Sequence, residues 1–300
     1  MKKQSKFWLI TAFILITIGF SSFFILSLFI KFDYTKLSTV TYKTQTHDVN
    51  CGFTDILINV DTADVEFKLS SNDKCSVTCF ESEKEPHTVK VEDKKLIINY
   101  SDNRNVLDYI SIQFSKPKLT INLTKQQYNS LTVKCSTGDV IVANDFSFNE
   151  VDITVSTGDV KLNANSSEVK ITSSTGRISV KDINANNLTL SASTGDIDLK
   201  GVNCTNLTIS LSTGELEMRN VIATEKFNIK TTTGDVDFES CDASEIYIKT
   251  TTGDVEGSLL SGKTFTVNTT TGKKRVPSST SGGKCEITTS TGDVEIMIKQ

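Results

Sequence analysis

Proline, histidine and tryptophan are scarce in this 300-residue chain, which holds three, two and one of them respectively. His47 and His87 stand far apart, and the chain contains no Cys-x-x-Cys pair and no histidine spacing typical of a zinc site. No serine has an evident general base of the kind that serine hydrolases require. These absences argue against a zinc protein and against a hydrolase built on a catalytic triad.

Cysteine occurs in an odd number, which in an exported protein suggests disulfide bonds and a spare thiol. The seven are Cys51, Cys75, Cys79, Cys135, Cys204, Cys241 and Cys285. The last four stand at repeat positions that other copies fill with small or apolar residues, so we expect each to be a buried hydrophobic residue. Cys75 and Cys79 are too far apart along one strand to bridge each other, whereas Cys51 could pair with either.

The dipeptide Thr-Gly recurs nine times in the chain, at intervals of 18 to 20 residues. Its glycines are Gly138, Gly158, Gly176, Gly195, Gly214, Gly234, Gly253, Gly272 and Gly292. Each dipeptide follows Ser or Thr, and seven of the nine glycines precede Asp or Glu. A repeat this short cannot bury its own apolar side, so its copies must stack into a solenoid.

Apolar residues flank each glycine at alternate positions, seven and five residues before it and two and four residues after it. Around Gly214 these are Leu207, Ile209, Leu216 and Met218. Such alternation is typical of half-buried strands, and the three- and four-residue spacing of a helix is absent. We therefore predict an all-β fold, a parallel β-solenoid (β-helix) of about nine regular coils of 18–20 residues that turn at the glycines.

The same offsets recur once upstream, around Ala63, with Ile56 before it and Val65 after it. We interpret this copy as a degenerate first coil, because the terminal repeats of a solenoid are atypical. Strand-like segments of irregular spacing follow it, including residues 109–114, and they indicate a capping region. The predicted boundaries are 51–130 for the degenerate coil and β capping region, and 131–300 for the regular repeats.

Residues 7–30 contain no charged side chain over 24 positions. About 20 apolar residues span a bilayer, whereas a cleavable signal has a core of about 7–15 residues and a small-residue cleavage site. Three lysines precede the segment and should hold the short amino terminus inside the cell. We expect a cytoplasmic tail at 1–6, a transmembrane anchor at 7–30, a linker at 31–50 and an extracytoplasmic domain beyond; a cleaved signal is the alternative.

The three lysines are the only charges before residue 31, so 29 of the 32 basic residues and all 36 acidic residues lie beyond the anchor. The resulting net charge of −7 argues against a nucleic-acid partner. Lys273, Lys274 and Arg275 form a basic run, and Lys274 stands where other copies have an apolar residue. A loop near the carboxyl-terminal cap explains this run, and a basic contact for an anionic cell-wall polymer is the alternative.

Acidic residues occupy two columns, one and three residues after the glycine. In four successive copies they are Asp196, Asp198, Glu215, Glu217, Asp235, Asp237, Asp254 and Glu256. Both columns face the same way on a strand, and like charges stacked about 4.8 Å apart repel each other. A stripe of bound Ca²⁺ would relieve this repulsion. The alternative is that the first acid bonds within its own turn and that the second solubilises an exposed face.

The repeated Ser-Thr-Gly-Asp-Val motif, on alternating strands behind an amino-terminal apolar helix, resembles a bacterial family of envelope β-solenoids known as "putative adhesins". That family includes the membrane-anchored LiaG-like proteins of Gram-positive envelope-stress operons. The resemblance covers residues 55–300 and implies a non-enzymatic role at the envelope, with no catalytic residue to carry over. The coil at Lys273 departs from the pattern.

These observations lead to the hypothesis of a membrane-anchored extracytoplasmic β-solenoid that acts in binding, adhesion or as a scaffold of the cell envelope. A link to the envelope-stress response follows from the resemblance alone. Its partners would be the membrane, through the amino-terminal helix, and a cell-wall polymer or an envelope protein. The alternative is a β-helix enzyme that acts on a polysaccharide, but such enzymes gather acids and bases in one cleft, whereas here the acids form a uniform ladder.

Overall fold

The computed structural model describes residues 3–34, 38–109, 115–278 and 281–299. One helix, α1 (Lys3–Phe29), precedes strands that wind into a β-solenoid of about eight turns. A short 3-10 helix spans Val106–Tyr109. The strands are β1 (Tyr42–Val49), β2 (Asp55–Thr62), β3 (Asp64–Leu69), β4 (Cys75–Ser82), β5 (His87–Glu92), β6 (Lys95–Tyr100), β7 (Lys118–Leu123), β8 (Gln127–Thr137), β9 (Val140–Val142), β10 (Ser147–Thr157), β11 (Val160–Leu162), β12 (Asn165–Thr175), β13 (Ile178–Lys181), β14 (Asn187–Thr194), β15 (Ile197–Thr213), β16 (Leu216–Thr233), β17 (Val236–Lys249), β18 (Val255–Leu259), β19 (Lys263–Thr271), β20 (Lys274–Arg275), β21 (Gly283–Thr291) and β22 (Val294–Ile298).

Helix α1 contains the apolar segment expected to cross the membrane, and residues Lys6–Phe29 are long and apolar enough to do so. Its side chains are almost all exposed, so it does not serve as a core helix of the solenoid. The hydroxyls of Thr11 and Thr17 donate to the carbonyls of Phe7 and Phe13 within the helix. Such internal bonds satisfy polar groups that a lipid environment would leave without partners.

The regular coils stack in parallel and in register. Ile153 of β10 lies opposite Val133 of β8 on one side and Ile171 of β12 on the other. The alternating apolar columns face inward, as the sequence predicted, and Ile209 and Leu216 are fully buried. The core is therefore a series of apolar ladders, each built from one residue per coil.

Glycine is required at the corners for two reasons. The nine repeat glycines have φ between 129° and 154°, a region that side-chain-bearing residues rarely adopt. A Cβ on Gly195 would also lie 2.1 Å from the carbonyl oxygen of Gly176 on the neighbouring coil. The backbones of successive corners thus approach too closely for any other residue.

The last two coils stack in the reverse of their sequence order. Strand β21 pairs with β17 on one side and with β19 on the other, so that Cys285 lies between Ile246 and Phe265. Likewise β22 lies between β18 and β20. The coil of Gly292 is thereby inserted between those of Gly253 and Gly272, and the latter forms the carboxyl-terminal end of the stack.

A buried ion pair spans the inserted coil. The ammonium of Lys263 in β19 lies 2.6 Å from the Asp242 carboxylate in β17, and its side chain is only 4% exposed. Gly283 of β21 is the register partner of Lys263, and a Cβ there would lie 1.8 Å from the carbonyl oxygen of Ser244. The absent side chain of Gly283 leaves room for the lysine to reach across β21.

The amino-terminal end of the solenoid is closed by antiparallel strands. The degenerate coil, β2 and β3 around the buried Ala63, stacks on β8 and β9, as the sequence predicted. Strands β6 and β7 extend the parallel stack by one more layer. Strands β5, β4 and β1 then add in antiparallel fashion and end it. Of the predicted strand at 109–114, residues 110–114 lie outside the described part of the chain.

Candidate functional site

The first acidic column forms a ladder of hydrogen bonds between coils. Seven carboxylates of this column each accept a bond, 2.7 to 3.2 Å long, from the backbone N–H at the same position of the neighbouring coil. The accepting residues are Asp64, Asp139, Asp159, Asp196, Asp235, Asp254 and Asp293. The alternative prediction, that the first acid bonds within its own turn, was wrong. The donor is instead the backbone N–H of the adjacent corner.

Basic side chains neutralise part of the acidic face. Arg177 contacts the Asp196 carboxylate at 2.9 Å and, together with the backbone N–H of Glu215, holds the pKa of Asp196 below its usual value. Lys181 lies 3.0 Å from Asp198, and Arg219 lies 3.0 Å from Glu217. Three acids of the coils around Gly195 and Gly214 thus have counter-ions from their own or an adjacent coil.

The next two coils carry acids without such counter-ions. Asp237 has Glu217 and Glu256 as its register partners on the two adjacent coils. Partial burial, followed by the nearby charges of Glu215, Glu256 and Asp235, raises the pKa of Asp237 to about 6. No ion pair within the described part of the chain involves Asp237 or Glu256. This stretch of the face therefore concentrates negative charge.

An open groove of about 410 Å³ runs beside these acids, with Glu217, Asp237, Glu239, Glu256, Glu295 and Met297 in its walls. Gly257 forms part of the floor, where the preceding coil has Phe238. A Cβ on Gly257 would lie 2.6 Å from the Phe238 ring, so the large ring and the glycine are complementary. The groove can attract cations, since carboxylates dominate its rim.

The eight acids predicted to form a Ca²⁺ stripe lie in two columns with different surroundings. Asp196, Glu215, Asp235 and Asp254 belong to the corner column, and Asp198, Glu217, Asp237 and Glu256 lie on the strands beside it. Among the residues described, no group of three or more His, Cys, Asp or Glu side chains is placed to hold a metal ion. Calcium binding along this stripe stays a prediction.

The cysteines occupy structural positions. Cys135, Cys204 and Cys241 are buried, as expected, and burial raises the pKa of each thiol to about 11, which makes them poor nucleophiles. The sulfur of Cys51 accepts a 2.9 Å hydrogen bond from the backbone N–H of Cys75, and both thiols are free. The geometry thus sets Cys51 beside Cys75.

A buried pair joins His87 to Glu81 in the amino-terminal cap. The imidazole Nδ1 and the backbone N–H of His87 lie 2.8 and 2.7 Å from one Glu81 oxygen. Both side chains are at most 4% exposed. A substrate could not reach this carboxylate and imidazole without opening the cap, so the pair fits a structural role.

The basic run lies on the terminal coil. Arg275 contacts Glu295 at 3.2 Å, and the ammonium of Lys274 donates to the carbonyl of Val267 at 3.0 Å. Lys274 is exposed because no further coil covers this end of the stack. Its departure from the apolar column is therefore explained by its place in the cap.

Tyr247, an aromatic residue on the outer face of the solenoid, was not among the residues predicted from the sequence to have a function. Tyr247 projects from β17 between two lysines of the adjacent coils, with the ammonium groups of Lys226 and Lys284 at 4.2 and 5.0 Å from the ring centroid. These distances are within the range of cation–π attraction. The signal was available in the sequence, since Tyr247 stands six residues before its glycine, where seven of the other copies have Thr, Asn, Asp or Lys.

Comparison with known proteins gives one family match. A family model described as Toastrack DUF4097 matches residues 53–225 and again residues 220–300. The two matches together span the first coil, strands β4 to β7 and all of the regular repeats, and leave out β1. Among curated proteins, none matches the chain.

Solved structures resemble the chain at low sequence identity. A "putative adhesin" from Bacteroides fragilis NCTC 9343 is 17% identical, with a TM-score of 0.41, and the match covers 86% of this chain and 97% of that one. A "putative adhesin" from Parabacteroides merdae ATCC 43184 is 16% identical, with a TM-score of 0.44, over 72% of this chain and 96% of that one. A "putative cell adhesion protein" from Clostridium sporogenes ATCC 15579 is 12% identical, with a TM-score of 0.24, over 86% and 100%.

Proposed function

Because this chain belongs to the Toastrack DUF4097 family, we propose that it is a single-pass membrane protein whose extracytoplasmic β-solenoid binds or scaffolds a component of the cell envelope. The observation that carries the proposal is the order of its parts. A helix that is long enough to span a bilayer, and uncharged from residue 7 to its end, precedes a β-solenoid with a long, regular polar surface. The partner is a cell-wall polymer or an envelope protein.

The orientation of the anchor in the membrane determines which part of the chain can contact that partner. With the three amino-terminal lysines inside, the solenoid lies on the outer side of the membrane. The resemblance to LiaG-like proteins motivates the further proposal of a link to the envelope-stress response.

We propose that the role is non-enzymatic. Many acids of the solenoid already have partners, either a backbone N–H, as for Asp235, or an exposed ion pair, as for Glu217. The carboxylate and imidazole of Glu81 and His87 are enclosed by the cap. Turnover of a wall polysaccharide that a single Asp→Asn change abolishes would favour the β-helix enzyme instead.

Co-sedimentation tests the proposal. The full chain, held in nanodiscs of phosphatidylcholine, is mixed with isolated envelope fragments, and empty nanodiscs serve as the control. Protease-treated fragments retain only polymers as partners, and fragments stripped of wall polymer retain mainly proteins. We expect the loaded nanodiscs to sediment with untreated fragments and with one of the two treated forms. Sedimentation no greater than that of empty nanodiscs on all three would contradict an envelope-binding role.

A further inference from the structure

One face of the solenoid carries hydroxyl groups that lead into a cluster of lysines. We call it the hydroxyl–lysine face and define it by the outward residues four, six and eight positions before the glycines of the coils from Gly176 to Gly292. Between Gly176 and Gly214 these positions are mostly Thr, Ser and Asn. On the coils of Gly234, Gly253 and Gly292 the face holds four lysines and two acids around Tyr247, namely Lys226, Lys230, Lys249, Lys284, Glu245 and Glu286.

Two adjoining grooves run along this face. The first, of about 270 Å³, is lined by hydroxyl side chains that include Thr172, Ser191, Ser193, Ser210, Ser212 and Thr232, and it ends at Lys230. The second, also about 270 Å³, has Lys226, Lys230, Tyr247, Lys249 and Thr288 among its lining residues. Lys230 belongs to both, so a long ligand could pass from the hydroxyl groove to the lysines.

Buried hydroxyls beside the first groove have no partner within the described residues. Ser173 and Thr231 both line it, and they are only 1% and 6% exposed. The side-chain oxygen of each is buried without a hydrogen bond. Both stand three residues before their glycines, in the inward column of Val155 and Leu211, so these two hydroxyls face the core and a ligand in the groove would contact the outward hydroxyls instead.

The charges of the face suit an anion. Lys230 and Lys249 are exposed, and neither forms an ion pair with any residue that the structure describes. They are register partners on neighbouring coils, so their backbones lie about 4.8 Å apart along the stack. The Tyr247 ring holds Lys226 and Lys284 in place beside them. Because Lys284 also pairs with Glu286 at 2.7 Å, the ammonium groups left for an anion among the described residues are those of Lys226, Lys230 and Lys249.

We propose that the hydroxyl–lysine face binds a linear polyol-phosphate polymer of the envelope, laid along the solenoid axis. This inference rests on the proposed envelope-binding function and adds its ligand class and its site. The lysines neutralise successive phosphodiesters, since an ammonium is a compact point charge that suits phosphate. The hydroxyls of the first groove exchange hydrogen bonds with the polyol, and Tyr247 provides a flat surface against its carbons.

A binding experiment with matched charge variants tests the site. The full chain in phosphatidylcholine nanodiscs is titrated with poly(glycerol phosphate), with inorganic polyphosphate, with single-stranded DNA and with neutral dextran. The double variant Lys230→Gln/Lys249→Gln is compared with Lys161→Gln/Lys200→Gln, which removes the same charge from exposed lysines on other faces. Equal melting temperatures show that each variant is folded.

We expect poly(glycerol phosphate) to bind, with a Kd that rises at least tenfold in Lys230→Gln/Lys249→Gln and less than twofold in the control pair. Tyr247→Ser should weaken binding to poly(glycerol phosphate) more than binding to polyphosphate, which lacks carbon. Dextran should not bind. An equal loss of affinity in both double variants would overturn the site. So would tighter binding of single-stranded DNA than of poly(glycerol phosphate), or no polymer binding at all.

The envelope co-sedimentation assay separates this inference from the function on which it rests. If Lys230→Gln/Lys249→Gln sediments with envelope fragments as well as the unmodified chain does, the face is not the site, although the envelope-binding proposal stands. If neither sediments above empty nanodiscs, the proposed function itself fails. If only Lys230→Gln/Lys249→Gln loses sedimentation, and loses it only with fragments that retain wall polymer, the result supports both the site and the envelope-binding function.

Discussion

The carboxylate of Asp235 accepts a hydrogen bond from the backbone N–H of Asp254, one coil along the stack, at 2.8 Å. The same bond links most corners of the solenoid, and it is made by six of the seven acids that follow the repeat glycines. Replacing Asp235 with Ala should therefore lower the free energy of unfolding by about 1–2 kcal/mol, since a corner N–H loses its charged acceptor. Urea unfolding monitored by circular dichroism measures this change.

Two comparisons control for the loss of charge. Asp235→Asn keeps an oxygen acceptor and should retain most of the stability. Glu150→Ala removes an exposed acid that makes no ion pair with described residues, and it should change the free energy of unfolding by less than about 0.5 kcal/mol. If all three variants behave alike, the ladder does not stabilise the corners.

Gly195→Ala tests the close approach of the corners. Its φ of 129° and the 2.1 Å separation from the Gly176 oxygen both oppose a methyl group. We expect a loss of at least about 3 kcal/mol in the free energy of unfolding, because backbone atoms on both coils would have to shift. Gly52→Ala is the matched control, since the nearest atom to a Cβ there lies 3.5 Å away. Comparable melting temperatures for the two variants would refute the corner geometry.

Asp237 should make stability depend on pH. Its folded pKa of about 6 lies above the ordinary value of 3.8, so the folded state binds this proton more tightly than the unfolded state does. The free energy of unfolding should therefore rise as the pH falls from about 6 to about 4. We expect about 1 kcal/mol, because solvent screens a half-buried carboxyl.

Asp237→Asn isolates this contribution. The variant should be more stable than the unmodified chain at pH 7 and should lose the corresponding part of the pH dependence. Thermal melts at pH 4, 5, 6 and 7 provide the comparison. Parallel pH profiles for the two proteins would show that Asp237 ionises normally.

If the acidic stripe binds Ca²⁺, calcium should raise the melting temperature by more than its ionic strength alone explains. Binding to the folded state alone raises the melting temperature by mass action, whereas NaCl only screens the repulsion between carboxylates. Millimolar Ca²⁺ should thus raise the melting temperature more than NaCl of equal ionic strength. Asp235→Asn/Asp237→Asn should abolish the difference. Identical effects of the two salts on the unmodified chain would remove calcium from the description of this face.

The coil period and the inward columns could be predicted because each is a local property of the sequence. Residues such as Ile209 and Leu216 recur at fixed offsets from a glycine, and the alternation alone determines which side they face. The corner acids were also recognised as a column. Their bonding partner was not, since a bond to the next coil and a bond within the turn impose the same sequence pattern.

The order of the last two coils could not be predicted, because near-identical columns pair equally well in either order. The decision depends on single residues outside the columns, namely the small Gly283 and the ion pair between Lys263 and Asp242. The hydroxyl–lysine face was missed for a related reason. Its lysines are scattered in sequence, and only the stacking of coils brings Lys230 next to Lys249.

Membrane topology is the premise of every functional proposal made for this chain, and surface labelling of intact cells tests it most directly. A membrane-impermeant amine reagent is applied before and after lysis, and the modified lysines are identified by mass spectrometry. We predict that exposed solenoid lysines such as Lys200 and Lys230 are modified on intact cells, whereas Lys2, Lys3 and Lys6 are modified only after lysis. Modification of the amino-terminal lysines alone on intact cells, or release of a chain that lacks its first 30 residues, would contradict the anchored, outward-facing solenoid.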